Sequence, residues 1–110
     1  MKKIICLFIW IFFLAGCAVN RYRSDFEFAN KLAAEGLWKE AYYRWQKVLS
    51  QNSSSAALHN NLAVALENLN RLPEAELEYQ HALKLAPGNT LLQKNYTLFK
   101  KNQKKDNNEK

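Results

Sequence analysis

The sequence predicts an all-α fold: a short helix-turn-helix solenoid of two repeats closed by a C-terminal capping helix. Three observations lead there. The chain matches itself without a gap at a shift of 34 residues. Within each copy the apolar residues are small where two antiparallel helices must approach and large where the space between them needs filling. Turn-forming residues, Gly36 in one copy and Asn70 in the other, split each copy into two helices.

The organising unit runs from Ala56 to Asn89. Ala63 and Ala75 are its helix contact points. Leu69-Asn70-Arg71-Leu72-Pro73-Glu74 makes the turn, because Asn70 tolerates a left-handed backbone and Pro73 suits the start of a helix. Pro87-Gly88-Asn89 ends the second helix. Shifted back, the unit reappears from Tyr22 to Ser55, where Phe28, Ala29, Leu32, Ala41, Trp45 and Val48 answer Leu62, Ala63, Leu66, Ala75, Tyr79 and Ala82. Gln51 to Ser55 reads as a looser connection. Shifted forward, Leu91, Leu92, Tyr96 and Phe99 keep helical spacing with Tyr96 in the Leu62 position, and Asn89 to about Lys101 reads as one helix that covers the end of the stack. The expected helices are about 24–35, 38–51, 55–69, 73–85 and 90–101.

The unit from Ala56 to Asn89 resembles the tetratricopeptide repeat, with Leu62, Ala63, Leu66, Ala75, Tyr79, Ala82 and Pro87 matching the family's signature in residue class. His59 and Asp25 stand where that family usually has Trp, and Ser53 where it has Pro. The resemblance implies a protein partner, an extended segment or helix laid in the groove lined by the first helix of each repeat. The groove positions are Phe26, Asn30, Ala33, Ala57, Asn60, Asn61, Val64, Glu67 and Asn68. Asparagines there suit hydrogen bonding to a peptide backbone, and Phe26 and Val64 apolar contact, although Asn30 and Asn61 also follow the common consensus. The subfamily that grips a C-terminal carboxylate is not supported, since Phe26, Leu91 and Asn95 replace its basic residues. Trp45 reads as core, and Tyr42 or Tyr43 as a candidate partner surface. Two repeats and a cap bury little, so a homo-oligomer is a second way of covering the array.

The N-terminus carries a different signal. Met1-Lys2-Lys3 precedes an apolar run from Ile4 to Leu14, too short for the roughly 20 residues of a spanning helix. Leu14-Ala15-Gly16-Cys17 then resembles the bacterial lipoprotein processing box. That resemblance implies cleavage before Cys17, with a diacylglycerol on its thiol and an acyl chain on its freed amine; no other cofactor is expected. Ala18, in place of the aspartate that retains enteric lipoproteins at the inner membrane, implies the periplasmic face of the outer membrane, with the outer face of the cytoplasmic membrane as the alternative. The expected organisation is a signal peptide at 1–16, a lipidated cysteine and tether at 17–23, the repeat domain at 24–101 and a basic polar tail at 102–110. At roughly 3.3 to 3.6 Å per residue the tether reaches about 25 Å at most, which keeps the domain close to the membrane.

The charge pattern excludes more than it assigns. The chain has 16 basic and 10 acidic side chains, and much of the excess sits in the segment Lys100 to Lys110. Its lysines lack interleaved aromatics, so nucleic acid is not an expected partner. The tail reads as solvated and largely disordered. His59 and His81 read as structural or solvated, and the sequence points to no metal and no catalytic constellation, hence to no enzyme. The expectation is a membrane-anchored adaptor or assembly factor. Alternatives are a pilotin-like pilus or secretion lipoprotein, a class that combines a processing box with such repeats, or a regulatory subunit of a cell-wall enzyme complex.

Overall fold

A computed structural model describes residues 23–51 and 55–108 of the chain. Cys17, its processing box and most of the tether lie outside the described residues, as does the connection at 52–54. Among the described residues five helices follow one another: α1 over 23–34, α2 Trp38–Gln51, α3 Ala56–Asn68, α4 Leu72–Leu85 and α5 Thr90–Asn108. Among the described residues there is no strand, and no helix is long and apolar enough to cross a membrane.

The two inter-helix turns are copies of one another. Gly36 has φ 78° and its equivalent Asn70 has φ 58°. Leu37 N–H donates to Leu32 C=O at 2.9 Å in the first repeat, and Arg71 N–H to Leu66 C=O at 2.8 Å in the second. Gly36 to Ala33 and Asn70 to Glu67 repeat the match, each at 3.0 Å. A left-handed residue with these back-bonds satisfies the orphan carbonyls of the ending helix. Gly36→Ala should therefore cost about 1–2 kcal/mol in urea unfolding, because an L side chain at positive φ is strained, whereas Asn70→Gly should be neutral or slightly stabilising. Equal effects would show that the turns do not share this geometry.

Helix starts are set locally. Ser55 caps α3 by accepting from Leu58 N–H at 3.2 Å, and Asn89 Oδ1 caps α5 by accepting from Leu91 and Leu92 N–H at 3.0 and 3.2 Å. Helix α4 has Pro73 in its first turn and no side-chain cap. Arg71 instead bridges to Glu74 at 2.8 and 2.5 Å. Those hydrogen bonds hold the Glu74 carboxyl below its ordinary range, but the pair is solvent-exposed and contributes little stability. Arg71 also lies 4.9 Å from the Tyr42 ring centroid, which ties the second turn to α2.

The core follows the repeat. Ala29, Ala63, Ala41, Ala75, Val48 and Ala82 are all fully buried, and the large pair Trp45 and Tyr79 nearly so. Phe28 departs from its equivalent: Leu62 is 1% exposed, Phe28 is 44% exposed. Leu62 lies in the middle of the array, whereas Phe28 belongs to its first described helix and is covered by the Arg44 guanidinium, 5.0 Å from the ring centroid. In α5, Leu92 and Phe99 are buried and Tyr96 is half-buried, but Leu91 points out at 62% exposure. Phe99 and Tyr96 pack on Tyr79 with centroids 5.2 and 5.8 Å away. Lys100, in place of a large apolar residue, lays its ammonium 4.4 Å from the Tyr96 centroid.

The tail corrects the sequence reading. Helix α5 continues to Asn108 rather than ending near Lys101, so residues 102–108 are helical and not a disordered extension. Lysine and glutamine have good helix propensity, and Lys105 lies in the last turn, where a cation is favourable with the helix dipole.

Candidate peptide-binding face

The first helices of the successive units are joined by asparagines. Asn61 on α3 reaches back to Asn30 Oδ1 on α1 at 3.4 Å, and Asn95 on α5, the equivalent of Asn61, reaches back to Asn60 Oδ1 on α3 at 3.0 Å. Asn30 Oδ1 also accepts from the indole N–H of Trp45 at 3.2 Å. Its carbonyl is thus engaged within the fold, and its NH2 is the group it offers outward.

Beside this ladder lies an open depression of about 390 Å³, lined by Asn30, Ala33, Ala34, Trp38, Trp45, Asn61 and Val64. Four of the nine groove positions named from sequence meet there: Asn30, Ala33, Asn61 and Val64. The other five do not. Phe26 packs against the core. Asn60 holds Asn95, Glu67 accepts from the Tyr79 hydroxyl at 2.9 Å, and Asn68 donates to its own helix at Val64 C=O, 2.8 Å away. Ala57 is exposed and lies off the depression.

Sequence reasoning missed Trp38 and Ala34 as lining residues, and it read Trp45 only as core. Trp45 is core at 3% exposure, yet its indole N–H orients Asn30 at the depression's edge. A groove defined only by first helices leaves such contributors out. Between the two tyrosines, Tyr42 is buried with its hydroxyl accepting from Gln46 at 2.6 Å, and Tyr43 is the exposed one at 58%. Leu77, the equivalent of Tyr43, is 56% exposed, so the same outward position is apolar in both repeats.

One titration is built into the α3/α4 contact. Burial, then the neighbouring Glu67 carboxylate, push the Tyr79 phenol above its ordinary value. A raised folded value means that this stability is complete below the unfolded pKa of about 10 and is lost as pH rises through the folded value. Tyr79→Phe should cost about 1.5 kcal/mol at neutral pH through the lost bond to Glu67. It should also flatten the fall in stability above about pH 10, as read by urea unfolding at several pH values. An unchanged alkaline slope would remove Tyr79 as its source.

The match that decides the repeat's type covers residues 56–89, which fit the family described as tetratricopeptide repeat. No curated protein matches the chain. The matched stretch holds α3, the Asn70 turn, α4 and the Pro87-Gly88-Asn89 stop. Around it the all-helical array continues in tetratricopeptide fashion, with α1 and α2 before it and α5 after it. Tetratricopeptide repeats are non-catalytic modules that bind other proteins, and stacked helical repeats present the extended surfaces such binding needs.

Proposed function

We propose that the chain is a lipid-anchored, non-catalytic adaptor or assembly factor of the cell envelope that holds a segment of a partner protein against α1 and α3. The observation that carries the reading is the depression between these helices. Ala33, Ala34 and Val64 with Trp38 and Trp45 give it apolar walls, and Asn30 and Asn61 give it amides. An extended segment would seat an apolar side chain among the former and bond its backbone to the latter. The anchor rests on Leu14-Ala15-Gly16-Cys17 and Ala18. Two or three acyl chains on Cys17, at about 0.8 kcal/mol per buried methylene, would hold the protein on the periplasmic face of the outer membrane far better than one chain.

The test is crosslinking and pull-down from intact cells, comparing the native protein with Cys17→Ser and Ala34→Arg. Ala34 is exposed and lines the depression, so an arginine there blocks the site without entering the core. One protein should be recovered with the native chain and lost with Ala34→Arg. Cys17→Ser should leave the membrane fraction. Recovery of the chain's own crosslinked species alone, unchanged by Ala34→Arg, would end the groove reading, and a Cys17→Ser chain that stays in the membrane would end the anchor reading.

A further inference from the structure

His59 on α3 and Glu78 and His81 on α4 bring three donor atoms within 4.8 Å of one another. His59 Nδ1 lies 2.6 Å from Glu78 Oε2, and the two imidazoles meet edge to face with centroids 5.4 Å apart. Glu78 and His81 are three residues apart on one helix, which puts them on one face. Helical bundles use this carboxylate-x-x-imidazole spacing to present both groups to one ion. His59 is 9% exposed, Glu78 is half-buried and His81 is exposed, so the cluster is rooted between the helices and opens to solvent.

The first repeat carries the same constellation in different chemistry. A shift of 34 residues maps His59, Glu78 and His81 onto Asp25, Arg44 and Lys47. There the bridging cation is part of the chain: Lys47 Nζ lies 3.2 Å from Asp25 Oδ2, and Arg44 Nη1 lies 3.9 Å from Asp25 Oδ1. In the second repeat all three positions can supply lone pairs, and both permanent cations are gone. A hydrogen bond between His59 and Glu78 accounts for those two residues and gives the approach of His81 no role.

We propose that His59, Glu78 and His81 bind one late first-row divalent ion, best matched by Zn²⁺, with water in the fourth position. Donors at about 2.0–2.2 Å from a tetrahedral ion sit about 3.3 Å apart. The short His59–Glu78 contact therefore opens by less than about 1 Å and the longest separation closes by about 1.5 Å, within the reach of the half-exposed Glu78 and exposed His81 side chains. The ion fastens α3 to α4 at the place where the first repeat uses Lys47 and Arg44 to fasten α1 to α2. Its binding adds to the stability of the folded state.

The test uses the full chain in detergent, free of any polyhistidine tag, titrated with Zn²⁺ by calorimetry and melted by circular dichroism. One Zn²⁺ should bind per chain, and at roughly 100 times the Kd it should raise the Tm by about 10 °C, reversed by chelator. His81→Gln and Glu78→Gln should each weaken binding at least about 10-fold, and His81→Gln should leave the metal-free Tm unchanged because the side chain is exposed. The triple variant His59→Asp, Glu78→Arg, His81→Lys, which transplants the first repeat's ion group, should stay folded without a zinc response. Absence of saturable binding, or undiminished affinity in both single variants, would overturn the site.

Discussion

Trp45→Ala is expected to destabilise the domain by about 3–5 kcal/mol, the largest effect of any single truncation in the first repeat. Trp45 is 3% exposed and belongs to the same core as Ala29, Ala41 and Val48, all fully buried. Removing the indole leaves a cavity that these small neighbours cannot fill, and it removes the N–H that holds Asn30. A small domain sits near the low end of the 5–15 kcal/mol range, so a loss of this size unfolds a large fraction of molecules at physiological temperature. Trp45→Phe keeps most of the buried area and loses the hydrogen bond, and should cost about 1–2 kcal/mol. Urea unfolding followed by circular dichroism separates the two. A cost below about 1 kcal/mol for Trp45→Ala would mean that the first repeat contributes little to the cooperative unit. In the pull-down, Trp45→Phe tests Asn30 orientation and the indole's share of the depression wall together, because the fold survives it.

Much of the fold was legible because the repeat constrains the same physics twice. Gly36 and Asn70 stand 34 residues apart and both read as left-handed residues, and both have positive φ with matching back-bonds. Alanines at helix contacts read equally well, since a side chain larger than a methyl group would hold the helices apart. The face was less legible. The family resemblance, which implies a groove lined by first helices, included Asn30, Ala33, Asn61 and Val64, and these four line the depression. That resemblance says nothing about partners on the second helix, and so could not show that Trp38 and Trp45 complete the wall or that Glu67 is held by Tyr79. The clearest miss lies at the end of α5. The segment after Lys101 is polar and lacks apolar periodicity, and that reading leaves out the intrinsic helix propensity of its lysines and glutamine. The cluster at His59 was hidden for another reason: its members are 19 and 22 residues apart, and only the fold of α3 against α4 brings them together.

The difference between middle and end makes a second large prediction, because Leu62 and Phe28 occupy one pattern position with opposite burial. Leu62→Ala should cost about 2–5 kcal/mol: its side chain is 1% exposed, in a core that also holds Leu58, Leu66 and Ala63. Phe28→Ala removes a larger side chain yet should cost about 1 kcal/mol or less, since the ring is already 44% exposed and its partner Arg44 keeps water and Asp25 as alternatives. The ranking by size and the ranking by position are therefore reversed, and urea unfolding of the two variants decides between them. An equal cost would mean that the outer face of α1 is covered in solution. Repeating the melt over a range of protein concentrations then identifies the cover: a second copy makes the cost of Phe28→Ala grow with concentration, and a segment of the same chain leaves it constant.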